Sequence, residues 1–161
     1  MRVATKPLAR LTADDLMSRE VTVISHHLSL RMAAHLLSQA HVSGAPVIDA
    51  DGACVGVISS TDFVHWAEGR HNTRRDWSPP DCACSDWQVV DVEALPTEEV
   101  GTYMTADPVT ALPTTQVREL ARMMIDAHIH RIIIVDEEKR PVGVVSTTDV
   151  LAALASAQST D

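Results

Sequence analysis

Gly56-Val57-Ile58-Ser59-Ser60-Thr61-Asp62 recurs as Gly143-Val144-Val145-Ser146-Thr147-Thr148-Asp149. Each copy closes an apolar run and opens a helical pattern, so each predicts a strand that turns directly into a helix. The duplication predicts two similar half-domains. It also sets a carboxylate and two hydroxyls at each junction: Ser59, Thr61 and Asp62 in one half, Ser146, Thr148 and Asp149 in the other. A helix N-terminus presents free N–H groups and the positive end of its dipole, so such a junction suits a phosphorylated ligand. The same aspartates also suit a plain capping role, since Asp is favoured in a first turn.

The repeat spreads outward from this segment at the same offset. Met17 matches Met104, Leu30-Arg31 matches Val117-Arg118, Ala40-His41-Val42 matches Ala127-His128-Ile129, and Val47-Ile48-Asp49 matches Ile134-Val135-Asp136. The register slips by one residue at the first strand, where Val21-Thr22 matches Val109-Thr110. Two copies of about 55 residues each argue against a solenoid, which needs three or more short repeats. They argue for a pseudo-twofold pair sharing one core.

Composition narrows the function classes. The chain has 161 residues, 45% hydrophobic and 22% charged, with only 3% aromatic, so its core must be aliphatic. A net charge of −9 argues against nucleic-acid binding, which needs clustered Lys and Arg. A small anionic ligand needs only one or two local cations and remains compatible. No apolar run reaches the roughly 18 residues of a membrane span. Met1-Arg2-Val3-Ala4-Thr5-Lys6-Pro7 lacks the apolar stretch of a signal peptide. Three cysteines do not make a disulfide scaffold. A cytoplasmic location is expected.

Residues 1–11 read as a loose arm. Thr12-Ala13-Asp14-Asp15-Leu16-Met17 predicts a short helix capped by Thr12, and Val21-Thr22-Val23-Ile24 a short strand. Leu30, Ala33, Ala34 and Leu37 form one apolar helical stripe, repeated by Val117, Leu120, Ala121 and Met124, with Pro113-Thr114-Thr115 as the start of the second helix. Ala45–Ile48 and Cys54–Ile58 predict a hairpin across Asp49-Ala50-Asp51-Gly52, and Ile132–Val135 with Val142–Val145 its counterpart. A closing helix is expected from about Ser60 to Glu68 and from about Thr147 to Ala157. Each half therefore reads β-α-β-β-α, an α+β class with α/β-type halves related by a pseudo-twofold axis. The division is an arm at 1–11, a first motif at 12–68, a linker at 69–97 and a second motif at 98–161.

The linker differs in kind. It is acidic and holds Trp77, Trp87, Pro79-Pro80 and Cys82-Ala83-Cys84, and Trp87–Val92 has the pattern of an edge strand. Its tryptophans suit packing over the domain edge, or stacking on a base. Cys82 and Cys84 with His71 lack the second ligand pair of a zinc site, which leaves a redox-labile thiol pair or an inert loop. His41 and His128, at matching helix ends, suit a structural role at the negative dipole end. Gly56 and Gly143 suit close packing or a close backbone approach.

Taken together, the duplicated order of elements, the Ala45-Pro46-Val47-Ile48-Asp49 strand and the twice-repeated Gly-apolar-apolar-Ser-x-x-Asp junction resemble the tandem CBS-domain pair, or Bateman module. The resemblance covers most of residues 12–157 but not the linker. It implies clefts between the halves that bind adenosine ligands and signal their occupancy to a partner, without catalysis. Carried over, Asp62 and Asp149 would accept from ribose hydroxyls, while Ser59, Thr61, Ser146 and Thr148 would donate to phosphate. Val21-Thr22 and Val109-Thr110 would line the base pocket, and Pro46 and Ile133 join the ligand set. AMP, ADP or ATP is the expected regulatory ligand, ahead of S-adenosylmethionine or NAD, with no obligatory cofactor and no metal. A homodimer and an unidentified regulated partner are also implied.

The copies are unequal. His130-Arg131-Ile132-Ile133-Ile134-Val135-Asp136 is similar to a His-Arg segment that contacts phosphate in the nucleotide-sensing subunit of AMP-activated protein kinase, whereas the first copy has uncharged Ser43-Gly44. The site using Arg131 is therefore expected to be the phosphate-rich one. Two other readings stay open: an interaction module with empty pockets that acts through dimerisation, and a metal or redox sensor acting through Cys82, Cys84 and His71.

Overall fold

Asp49 and Asp136 each fold a hairpin around one carboxylate oxygen. Asp49 Oδ1 accepts from Asp51 N (2.9 Å) and Ala53 N (2.9 Å), and Asp136 Oδ1 from Glu138 N (3.0 Å) and Arg140 N (2.8 Å). Both turns contain a left-handed residue, Gly52 (φ 84°) and Lys139 (φ 62°). Around these hairpins a computed structural model of the chain describes residues 6–69, 93 and 95–157. The elements are α1 (Ala13–Leu16), β1 (Ile24–Ser25), α2 (Leu30–Gln39), β2 (Gly44–Ile48), β3 (Cys54–Ser59), α3 (Ser60–Ala67), β4 (Thr105–Ala106), β5 (Thr110–Ala111), α4 (Val117–Ala127), β6 (Arg131–Val135), β7 (Pro141–Ser146) and α5 (Thr147–Ala157). Trp77, Trp87, Cys82, Cys84, His71 and the expected strand at 87–92 lie outside the described residues.

The Asp136 turn has a pH signature. The Arg140 backbone N–H, with the Arg140 charge adding to it, holds the Asp136 carboxyl below its ordinary value of 3.8. A lowered folded-state value means the contribution is fully present above 3.8 and is lost as pH falls through the lowered value. Between about pH 5 and pH 2, thermal melts of wild type should therefore fall faster than those of Asp136→Ala. Parallel curves would contradict this.

The single shared core expected from the repeat is corrected to two: each half is a mixed sheet with its own buried cluster, because its helix and an exchanged lead-in segment cover it. In the first, β1 runs parallel to β2 and β2 antiparallel to β3; in the second, β5 runs parallel to β6 and β6 antiparallel to β7. The first copy's strand was expected over Val21–Ile24. It lies instead at Ile24–Ser25, because the fully buried Ile24 pairs with Val47 and fixes the register there. The stripes of α2 and α4 face inward as expected, with Leu30, Ala33, Leu37, Val117, Leu120 and Met124 buried. The expected start of α4 at Pro113-Thr114-Thr115 is corrected to an N-cap at Gln116. There Thr115 N donates to the Leu112 carbonyl (3.0 Å) and its hydroxyl accepts from Leu112 N (3.1 Å), closing a turn ahead of the helix. His41 and His128 end α2 and α4 through their backbones, in left-handed conformations (φ 54° and 55°). Val42 N thereby reaches the Leu37 carbonyl and Ile129 N the Met124 carbonyl, satisfying helix-end acceptors.

The two repeats exchange their lead-in segments. Ala13 and Met17, from the start of the chain, pack with Leu120, Ile132, Ile134 and Val145 in the second core. Leu95 and Val100 pack with Ile24, Leu30, Val47 and Ile58 in the first. The backbone follows the same exchange. β4 adds to β3 (Thr105 opposite Val57), and Ser18 pairs with Val144 of β7. The N-terminal arm is not loose from Leu8 onward. Leu8–Arg10 forms a 3-10 turn against α4 and α5, and the Leu11 carbonyl accepts from Val117 N (3.0 Å). Its counterpart is the Glu98 carbonyl, which accepts from Leu30 N (3.0 Å). Arg31 ties the same stretch down through the Glu93 and Leu95 carbonyls (2.6 and 3.1 Å).

The exchange explains Gly56 and Gly143. Met104 lies across Gly56 and Met17 across Gly143, so a Cβ on either strand would collide with a methionine sulfur. At Gly56 it would also sit 2.8 Å from the Thr105 carbonyl oxygen, and at Gly143 2.8 Å from Met17 Cγ.

Candidate functional site

Because β3 runs straight into α3, the Ser59–Asp62 junction projects from the sheet edge toward the other half. A cavity of about 640 Å³ opens there, within the size range of small-molecule sites. It is lined from the first half by Ser43, Pro46, Val57, Ser59, Thr61 and Asp62, and from the second by Thr105, Asp107, Val109, His130, Arg131, Ile133 and Val144. Of the residues expected from sequence, Pro46, Ser59, Thr61, Asp62, Val109, His130, Arg131 and Ile133 meet here. Val21, Thr22, Thr110, Ser146, Thr148 and Asp149 do not line it. Asp149 instead lines a separate hollow of about 340 Å³ beside Lys6, Asp15 and Ser156.

Asp62 divides its two oxygens between two tasks. Oδ2 accepts from Ser59 N (2.7 Å) and the Ser59 hydroxyl (3.0 Å), which closes a capping box on α3. Oδ1 has one long contact, 3.4 Å from the Thr105 hydroxyl, so it keeps acceptor capacity at the cavity wall. Asp149 caps α5 in the same way, with Oδ2 2.7 Å from Ser146 N and 2.6 Å from the Ser146 hydroxyl. The two serine hydroxyls are thus committed to their caps. Thr61, exposed at the second position of α3, lies at the positive end of the helix dipole.

Arg131 spans the halves. Its Nη1 donates to the Ser43 hydroxyl at 3.0 Å, and both side chains are exposed. The opposite walls are apolar, with Pro46 and Val57 from one hairpin and Ile133 and Val144 from the other. Paired aliphatic walls suit a flat, largely apolar group between them, while the polar lining offers the second oxygen of Asp62, the Asp107 carboxylate, the His130 imidazole, one guanidinium and one helix N-terminus. Sequence reasoning missed Ser43, Thr105 and Asp107 as lining residues. Ser43 was accessible by the repeat itself, since it matches His130. Among the described residues, no cluster of His, Cys, Asp and Glu is arranged to hold a metal ion. No described helix is long and apolar enough to cross a membrane. The described cysteine, Cys54, is half-buried, and that burial pushes its thiol up, away from reactivity.

Comparison with known proteins follows the same lines. A family model described as CBS domain matches residues 13–69 and 100–156. An uncharacterized protein of Methanocaldococcus jannaschii is 28% identical over 155 residues, covering 87% of this chain and 89% of its own length. The chloroplastic CBS domain-containing protein CBSX2 of Arabidopsis thaliana is 25% identical over 149 residues, and the match spans 88% of this chain but 63% of the plant protein. The crystal structure of CBSX2 in complex with AMP superposes with a TM-score of 0.68 at 23% identity, covering 91% of this chain and 98% of that one. The CBS domain pair of protein MJ0100, solved with 5′-methylthioadenosine and S-adenosyl-L-methionine, gives 0.67 at 20% identity, covering 91% and 97%.

Proposed function

The chain belongs to the CBS domain family, and on that premise we propose that it is a regulatory module holding one adenosine nucleotide in the cleft between its halves. One observation carries this reading: Thr61 and Asp62 of one half converge with His130, Arg131 and Ile133 of the other on a single cavity. The ligands of the two superposed structures, AMP in one and an adenosyl thioether and an adenosyl sulfonium in the other, share adenine and its ribose. On this reading Asp62 Oδ1 accepts from the ribose hydroxyls. Pro46, Val109 and Ile133 hold the base with Val57 and Val144. Arg131, His130 and Thr61 meet the phosphate beside the α3 N-terminus. AMP, ADP and ATP are the candidate ligands, with S-adenosylmethionine and NAD behind them.

Val21, Thr22, Ser146, Thr148 and Asp149 then belong to the twofold-related position, while Thr110, the counterpart of Thr22, has no part in either site on this reading. By the repeat, Gly44 stands in place of Arg131 and Ser43 in place of His130, and Lys6, which lines the hollow at Asp149, is paired with Asp15 (2.6 Å). We assign that position no nucleotide of its own. Ser59 and Ser146 act as caps. The module is read as two motifs, 12–68 and 98–161, with a linker at 69–97, working without catalysis in the cytoplasm.

A phosphate on Arg131 would replace its bond to Ser43 and so change a contact between the halves. A ligand shifts an equilibrium only through such differential contacts. A partner protein reads the resulting angle. A homodimer fits the apolar outer faces of the closing helices, where Val64, Leu151 and Leu154 are exposed (49%, 57% and 44%). Those faces equally favour the second reading, an interaction module with an empty cleft.

Arg131→Ala separates phosphate contact from base and ribose contact. A charged hydrogen bond contributes about 1.5–3 kcal/mol, so AMP affinity should fall roughly tenfold or more while adenosine affinity holds. Calorimetric titration of both ligands checks this. Equal losses for the two would remove Arg131 from the phosphate site.

A further inference from the structure

The cleft carries a charge that the phosphate reading does not use. Asp107 lines it from the segment between β4 and β5, two residues beyond Thr105, whose hydroxyl touches Asp62. Asp107 holds a left-handed backbone (φ 52°) immediately before Pro108, although a residue ahead of proline is ordinarily pushed to an extended conformation. Asn and Asp tolerate that left-handed backbone about equally well. The backbone therefore accounts for a short polar residue here, but not for a carboxylate.

The charge count then decides what the cleft will take. Among the described residues lining it, Asp62 and Asp107 are acidic, Arg131 is a permanent cation, and His130 adds a second only when protonated. The whole chain stands at −9. A single phosphate finds Arg131 and the dipole of α3. A second or third phosphate brings added negative charge into a cleft that already holds the Asp107 carboxylate and has no further permanent cation among the described lining residues. Resting on the adenosine-site reading above, we infer that Asp107 is a specificity-determining residue that restricts this cleft to adenosine ligands with no more than one phosphate.

The test is calorimetric titration of the full chain with adenosine, AMP, ADP and ATP in EDTA, on wild type and Asp107→Asn. The Asn variant keeps the left-handed turn and removes the charge. Wild type should bind AMP more tightly than ADP, and ADP more tightly than ATP. Asp107→Asn should raise ATP affinity roughly three- to tenfold, the scale of one like charge removed near solvent, and change adenosine affinity by much less. Added salt should shrink the wild-type difference, because exposed charges are screened. Wild type binding ATP as tightly as AMP, or Asp107→Asn moving adenosine and ATP equally, overturns the inference while leaving the adenosine site standing. Failure of all four compounds to bind overturns the adenosine site and this inference with it.

Discussion

Asp62→Ala should remove most of the thermal shift produced by an adenosine nucleotide, and Asp149→Ala should leave it intact. The comparison is controlled by the repeat. Both aspartates close a capping box with the serine three residues before them, at backbone distances of 2.7 Å in each case. Each variant should therefore lose a similar amount of stability without ligand, about 0.5–2 kcal/mol for a lost cap. Only Asp62 lines the cleft between the halves. A ligand at 100 times its Kd adds about 2.7 kcal/mol, which for a chain of this size raises the wild-type midpoint by roughly 5–10 °C. Asp149→Ala should keep that rise. Asp62→Ala should lose most of it, since two charge-assisted bonds to ribose are removed together. Equal loss in both variants would mean that the capping box, not the carboxylate's second oxygen, is what the ligand needs.

Gly56→Ala and Gly143→Ala should both destabilise the sheets. At each position a methionine from the exchanged segment lies against the strand, with no room for a methyl group. Overpacking of this kind costs about 1–3 kcal/mol, a fall of roughly 2–12 °C in midpoint. Gly56→Ala should be the worse of the two. Its Cβ also meets the backbone carbonyl of Thr105 at 2.8 Å, which cannot turn aside, whereas the contacts at Gly143 are all to the Met17 side chain. Gly143→Ala should accordingly cost less when made in a Met17→Ala background. A Gly143→Ala protein melting with wild type would contradict the packing of Met17 on the second half.

The fold was legible because the chain repeats it. The hairpins, the inward stripes of α2 and α4 and the strand-to-helix junctions all follow from local periodicity and turn chemistry, and the second copy checks the first. The exchange of lead-in segments was not legible. Ala13-Asp14-Asp15-Leu16 reads as a helix beginning the first motif, and nothing local says that Ala13 and Met17 bury themselves in the second. The same reason hid Leu95, an apolar residue at the end of an acidic stretch that is nevertheless 2% exposed in the first core. Such placements depend on contacts between the halves, which periodicity does not encode.

The candidate site divides along the same line. Eight of the expected residues, among them those of the first junction and the His130-Arg131 segment, line one cavity, whereas Ser146, Thr148 and Asp149 of the second junction do not. Sequence could not tell that Asp62 and Arg131, from different copies, share a cleft while Asp149 stands apart. Asp107 escaped because its signal, a left-handed backbone before a proline, exists only in three dimensions.

The central claim, one adenosine site bridging the two halves, is tested most directly by the stoichiometry of AMP binding to the full chain in isothermal titration. The account predicts saturation at one AMP per chain, with the heat lost in Asp62→Ala. Two molecules per chain, or a titration unchanged in Asp62→Ala, would contradict it.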